Sequence, residues 1–342
     1  AAEVAASVEF ILDELLGEFP FTDDAGRAHT LALMLLPFVR SFIVGPTPLH
    51  LIEKPCPGTG AGLLTTVATI PVLGRGAAIM TEAGDEDEWR KRLTAVLMGM
   101  PAVVLIDNLR EPLDSAAVSA VLTATEWEDR LLGASRMIRV PVACAWVATG
   151  NNPELSNEIA RRCISIRLDP RQDQPWMRSG FRHPNLIEWT LANRGRLVAA
   201  LHTIVNAWLA AGRPFGQARL GTFEEWSRVL GGILDSASVP GFLANLPAFY
   251  ERSDTEGQSW REFVETWAER LGTEHVTVGD VYSSLWDAAS GQGPLALRGT
   301  TDRSRLTYLG IALRKRAGRV FSAWSIEDGG RSRGVQRWRV AK

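Results

Sequence analysis

The spacing of apolar positions changes along the chain, and each change marks a different kind of element. Around Val8–Leu16 and His29–Phe42 apolar residues recur every three or four positions, which predicts two helices joined by the turn-like FPFTDDAGR. LHLIEK (Leu49–Lys54) then reads as a short strand, followed by the Gly/Pro-rich PCPGTGAG and the apolar LLTTVATI. Strand, glycine loop and helix in that order form a phosphate-binding unit. PAVVLID (Pro101–Asp107) and VACAWVATG (Val142–Gly150) are unbroken apolar runs, as expected of strands covered on both faces of a parallel sheet. Between them Ser115–Thr125 reads as a helix and RLLGASRMIRV as a hairpin with Gly133-Ala134-Ser135 at its tip. Strands alternating with helices over residues 50–170 predict an α/β parallel-sheet domain.

After Asp169-Pro170 the period becomes helical from Asn185 to about Leu271, with Trp189, Trp208, Trp226, Trp260 and Trp267 expected in a helical core. From Val276 the expected order is a helix (Val278–Ala289), a second helix (Arg303–Arg316), a strand (Arg319–Ile326), a turn at Asp328-Gly329-Gly330 and a strand (Val335–Val340). That order suits a winged helix. The organisation read from the chain is a helical segment at 1–45, an α/β core at 46–170, a helical lid at 171–272 and a winged-helix domain at 273–342.

Composition narrows this little: 46% apolar and 22% charged residues describe an ordinary globular chain of 342 residues. Cys56, Cys144 and Cys163 form no CxxC pair, which argues against a disulfide framework or a zinc site and fits a reducing, cytoplasmic setting. No apolar run reaches a membrane span, and the start shows no secretory pattern. The first residues instead begin mid-helix, as in a piece of a longer protein. Charge is more informative. From 301 to 342 there are 11 Lys and Arg against 3 Asp and Glu, a local charge of +8 on a chain whose net charge is -2. A basic end on an acidic body points to a polyanionic partner; a solvated charged tail is the plainer alternative.

The chemistry begins at the glycine loop. Glycines let consecutive backbone N–H groups close around phosphate oxygens at a helix N-terminus. Lys54, Pro57, Gly58, Thr59, Gly60, Ala61, Gly62 and Leu63 are the candidate nucleotide contacts. Against the usual GxxxxGK[ST], Pro55 stands at the first glycine, Ala61 at the lysine and Gly62 at the hydroxyl that would hold Mg²⁺. Asp107 closes a buried strand where a carboxylate can reach Mg²⁺. Asn108 follows it, where an ATPase often carries a glutamate, and an amide can orient a water but not take its proton. Asn151 and Asn152 end the next strand and suit a γ-phosphate or its attacking water. Arg161 and Arg162 in NEIARRC can reach across a subunit interface to the charge developing on that phosphate. Taken singly, each has a local explanation: a helix cap, turn formers, a solvated face.

Together PCPGTGAGLL, VVLIDN, LTATEWEDRLLGAS, VATGNNPELSNEIARRCISIRLDP and QPWMRSGFRHPNL resemble the AAA+ ATPase portion of phage and mobile-element primase-helicase proteins, which are similar to superfamily 3 and minichromosome-maintenance-like helicases. The resemblance spans roughly residues 20–270. It implies Asp107 as the Walker B carboxylate and Mg²⁺ ligand, Asn151 or Asn152 as sensor 1, and Arg161 or Arg162 as a finger acting in trans. It implies homo-hexameric rings with ATP between subunits, a primase or polymerase partner domain, and a channel hairpin touching single-stranded DNA through Arg136. Arg194, Arg196 and Arg228 are the candidates for sensor 2. The winged helix adds Arg303, Arg305, Arg314, Lys315 and Arg316 on its helix and Arg319, Arg331, Arg333, Arg337 and Arg339 on its wing, of which Arg314, Lys315, Arg331 and Arg333 are the foremost contacts to duplex DNA.

The missing lysine leaves three readings open: a natural variant that borrows a cation such as Lys54, a site that binds without turnover, or an engineered Ala61. Three function classes follow. One is an ATP-dependent DNA helicase or translocase in replication of a phage or mobile element. The others are a catalytically weak AAA+-like loader and a DNA-binding regulator.

Overall fold

The computed structural model describes residues 2–131, 136–287, 292–332 and 334–342, and divides them into two units, 1–253 and 254–342. In the first unit the apolar runs become parallel strands. They are β1 (Leu49–Lys54), β2 (Ile79–Thr81), β3 (Val103–Leu109), β6 (Ala145–Asn151) and β7 (Cys163–Arg167), in the order β2-β3-β6-β1-β7. Successive residues of a strand face opposite ways, so Val103 and Leu105 enter one core while Val104 and Ile106 enter another. Both faces are therefore covered, which is why these strands carry no polar alternation.

Helices supply the two covers. α1 (Ala2–Glu9), continuing through a π-helical stretch Phe10–Leu15, α2 (Asp24–Val39) and α3 (Ala61–Leu73) lie on one face. α4 (Glu86–Met98) and α5 (Ala116–Val121) lie on the other, with Trp89, Leu93, Val118 and Val121 buried. Short α6 (Asn157–Ala160) leads into β7. α7 (Leu186–Ala192), α8 (Arg194–Ala210), α9 (Glu224–Ser236) and α10 (Leu246–Ser253) complete the unit, with Trp208 and Trp226 buried and Trp189 partly so. β4 (Glu126–Arg130) and β5 (Met137–Pro141) form the expected hairpin, but its tip, 132–135, lies outside the described residues. No helix among the described residues is long and apolar enough to cross a membrane.

The second unit corrects the expected boundary. α11 (Thr255–Leu271), read as the last helix of the lid, contributes Trp260, Phe263, Val264 and Trp267 to the core of residues 254–342 instead. Helical periodicity announces a buried face without saying what buries it. β8 (Val276–Thr277), α12 (Val278–Leu285) and α13 (Asp302–Lys315) follow, then β9 (Val320–Phe321), β10 (Trp324–Ser332) and β11 (Val335–Ala341), in a sheet ordered β8-β11-β10-β9. The expected turn at Asp328-Gly329-Gly330 is a bulge within β10. Pairing with β11 shifts between Asp328 and Arg331, and the Asp328 carboxylate accepts the Gly330 N–H at 2.8 Å. The expected strand at Arg319–Ile326 is likewise split in two, with Ser322 between the halves at φ 53°.

Two buried histidines in the first unit are held neutral. Nε2 of His29 accepts the Leu243 N–H at 3.1 Å, so the ring proton sits on Nδ1, which donates to the Ser165 carbonyl at 2.8 Å. A second proton would set N–H against N–H. Burial pushes the His29 pKa down to about 4, against the Ser165 bond and Asp23, which raise it. His50 is pushed to about 3, first by burial and then by His29. A folded pKa below the unfolded value of about 6.5 means that the unfolded chain binds the extra protons. Unfolding free energy, measured by denaturant titration, is therefore expected to be level from about pH 8 down to about pH 6.5 and to fall from there toward about pH 4. In His29→Gln that fall is shallower by about one proton, with the remainder from His50; an unchanged slope would remove His29 as a source.

Candidate functional site

β1 ends at Lys54 and the chain turns through residues 55–60 into α3. Gly58 and Gly60 take φ of 79° and 105°, the left-handed region that other residues avoid. A side chain at 58 would also strike Trp176, whose Cβ lies 2.9 Å from where it would stand. Thr59 is turned inward and donates to the Cys56 carbonyl at 2.8 Å. Leu64 is the first residue of α3 whose N–H finds a carbonyl, that of Gly60 at 2.8 Å. The N–H groups of Ala61, Gly62 and Leu63 are thus left without helical partners, and the space beside the Gly62 Cα is open. Such an end favours an anion through its free donors and its dipole.

The strand order brings Asp107 and its neighbours to the same edge. Thr149 on β6 donates its hydroxyl to Asp107 Oδ1 at 2.5 Å and accepts the Asn108 N–H at 2.9 Å. Asp107 Oδ2 has no partner among the described residues. Asn108 sits at φ 61°, and with its amide oxygen toward Arg110 it accepts two N–H donations at 3.0 and 3.2 Å. Lys54 lies close enough to this carboxylate to feel its charge. Burial lowers its pKa, while the negative charges of Asp107 and Cys56 act to raise it. Asn151 is paired in register with Lys54, and the Asn152 N–H donates to the Lys54 carbonyl at 2.9 Å. Asn151 is exposed, whereas Asn152 Oδ1 is occupied by two nitrogens of Arg167, each at 3.2 Å. Among the described residues the Asn151 side chain makes no hydrogen bond, so its amide oxygen, unlike that of Asn152, is unengaged.

Beneath the loop lies a group that sequence reasoning missed. The buried Glu53 carboxylate accepts from Ser165 Oγ at 2.5 Å, from Arg252 at 2.5 Å and from Arg167 at 3.2 Å. A second omission is a cavity of about 320 Å³ beside Gly58–Gly60, walled by Phe19, Trp176, Leu186 and Ile187. Arg178 also lines it, donating to the Glu18 carbonyl at 3.1 Å. A largely apolar cavity beside a glycine loop has the chemistry to take a planar ring. The motif QPWMRSGFRHPNL was the only signal of it.

Arg161 and Arg162 are not brought to the loop of their own chain. The Arg162 carbonyl accepts from Leu49 N at 2.9 Å, at the start of β1, whereas the loop follows the end of β1 roughly 16 Å along the strand. Both arginines bind the Glu158 carboxylate, at 2.8 and 2.6 Å, and the first and then the second holds its pKa below the usual carboxylate value. Arg161 remains 55% exposed and Arg162 only 12%. Arg194 donates to the Ile70 carbonyl near the far end of α3, Arg196 covers Phe10, and Arg228 covers Phe215, so none of the three contacts the loop.

Arg136 is exposed at the tip end of the β4–β5 hairpin, where its carbonyl accepts from Leu131 N at 2.9 Å. Thr94 of α4 anchors that hairpin: it accepts from Trp127 Nε1 at 2.9 Å and donates to Asp129 at 2.7 Å. Arg314, Lys315 and Arg331 are exposed in the second unit, and Arg333 lies outside the described residues.

No protein-family model matches the chain, and no curated protein matches it. Among solved structures it is similar to the C-terminal region of NrS-1 in its A-form apo structure, at 10% identity and a TM-score of 0.48, over 99% of this chain and 76% of that one. A second apo structure of that region gives 10% identity and a TM-score of 0.45 over 99% and 75%. JCV helicase bound to a thiazolopyridine-phenoxyphenyl acetamide gives 12% identity and a TM-score of 0.30 over 79% and 73%. At these scores function is read from the chain's own site.

Proposed function

We propose that the chain is an AAA+ ATPase that drives a DNA helicase or translocase, working as a ring with ATP between copies, in replication of a phage or mobile element. The observation that carries this reading is the Asp107–Thr149 pair set on the same sheet edge as the glycine loop and Lys54. The free N–H groups of Ala61, Gly62 and Leu63 receive phosphate oxygens, and the cavity at Trp176 takes the base. Asp107, whose Oδ2 has no partner among the described residues, would hold Mg²⁺, a reading supported by the single-carboxylate chemistry of a metal otherwise bound by phosphates and water. When bound, that ion neutralises charge developing on the phosphates. Lys54 adds the cation that position 61 lacks, and Asn151 orients the attacking water.

The opposite placement of Arg161 and the loop favours a finger supplied by a neighbouring copy, with Arg161 the better exposed of the two candidates. Hairpin Arg136 then contacts single-stranded DNA in the ring. The second unit reads as a winged helix whose first helix is α11, with Arg314, Lys315 and Arg331 meeting duplex phosphates. A primase or polymerase domain is the natural partner of such a motor. One observation favours a second reading, a loader that binds nucleotide without turnover: Asn108 cannot take a proton, and its amide is engaged by Arg110.

Turnover measured with and without single-stranded DNA tests the motor. DNA is expected to stimulate it, and Asp107→Asn or Lys54→Ala to lower it by roughly 10²–10³-fold. Tight nucleotide binding with no turnover in the wild type would select the loader.

A mixing experiment tests the shared site. Asp107→Asn and Arg161→Ala are each expected to be inactive alone. Mixed in equal amounts they restore about a quarter of the interfaces, because one copy brings the carboxylate and the next the arginine. Activity that stays at the level of the separate variants would place Arg161 outside the reaction.

A further inference from the structure

α13 has two unlike faces. Leu309, Ala312 and Leu313 are buried in the core of the second unit. The opposite face presents Arg303, Thr307, Tyr308, Ile311, Arg314 and Lys315, all exposed, at the i, i+4, i+8 and i+11 spacing of one helical side. Arg303, Arg314 and Lys315 make no ion pair among the described residues. Arg305, by contrast, is turned aside to Tyr282 and Asp302.

The arrangement along this face is what carries the inference. Cations stand at its two ends, roughly 17 Å apart at 1.5 Å per residue. Between them Ile311 is 61% exposed, with exposed Tyr308 and Thr307 three and four residues before it on the same helical side. A face built only to hold phosphates would carry polar or basic residues throughout. A face built for an apolar protein groove would not be closed at both ends by unpaired cations. The DNA major groove, about 12 Å wide and walled by phosphates, matches both features at once. Within that groove the 5-methyl group of thymine is the one apolar feature on the base edges. Other edges offer donors and acceptors that Ile311 would desolvate without replacing their hydrogen bonds.

We propose that the outer face of α13 reads thymine methyl groups in the major groove, with Ile311 as the reading side chain and Arg303, Arg314 and Lys315 fixing it on the phosphates. This rests on the reading of the second unit as a DNA-contacting module and adds a sequence preference to it. Binding then favours duplex segments with thymines clustered on one groove face, and the preference is lost where the methyl is missing.

The test uses the full chain, without nucleotide, and fluorescence anisotropy on four matched duplexes. One is A·T-rich, one has every thymine replaced by uracil, one is a G·C duplex, and one is that G·C duplex with cytosine replaced by 5-methylcytosine. Thymine is expected to bind tighter than uracil by roughly fourfold per contacted methyl. The 5-methylcytosine duplex is expected to bind tighter than its unmethylated counterpart. Ile311→Ser should abolish both differences; the side chain is exposed and supports no core, so the fold is retained. Arg314→Ala should weaken all duplexes alike and reduce the salt dependence. Salt-dependent binding that is equal for thymine and uracil would overturn the methyl readout and leave the DNA-contacting module standing. Absence of binding to any duplex would overturn both.

Discussion

The candidate site depends on β6 lying between β1 and β3. A parallel sheet delivers the C-terminal ends of its strands to one edge, and ligands of such sheets bind there. With β6 in the middle, Thr149 stands beside Asp107 and Asn151 beside Lys54. A slip of one residue in β6 would turn Thr149 to the other face and leave Asp107 without its donor. The slip is opposed by the core itself: Val147 and Ala145 pack on one side of the sheet, Trp146 and Ala148 on the other. Packing of the strands and aim of the carboxylate are therefore the same constraint.

A second tier keeps the loop's foundation rigid. Glu53 is buried one residue before Lys54, and its two oxygens are shared by Ser165, Arg167 and Arg252. A buried carboxylate is costly unless it is fully paired, and losing one partner strands the charge. Arg167 also donates to Asn152 Oδ1 through both terminal nitrogens, so the turn after β6 is tied to the end of β1. This network fixes backbone positions on either side of the candidate phosphate site without touching the ligand itself.

How much of this was legible depends on the range over which each signal acts. The buried strands and the glycine loop are local patterns, and the chain spells them out. β2 and α4 went unread because Ile79–Thr81 is three residues with two exposed, and α4 carries few apolar positions among its charges. The tryptophans of α11 announced a core but not whose core. Glu53 looked like one polar end of LHLIEK, because its partners are 112 to 199 residues away. Thr149 was hidden for the opposite reason: in VACAWVATG it reads as one more β-branched residue of a strand. Gly329-Gly330 misled because glycine serves a bulge as readily as a turn.

The missing lysine looks different once the loop is seen in three dimensions. Ala61 is 1% exposed and belongs to the core beneath α3. Lysine in its place would have to bring a four-carbon stem out of that packing before its charge could meet a phosphate. Lys54 leaves the end of β1, on the edge it shares with Asp107, and its desolvation sharpens any interaction with an anion. Under the proposed function, phosphate is gripped by the N–H groups of α3 and by the lysine of β1 together. Such a division asks less of position 61 and more of the register that sets Lys54 opposite Asn151.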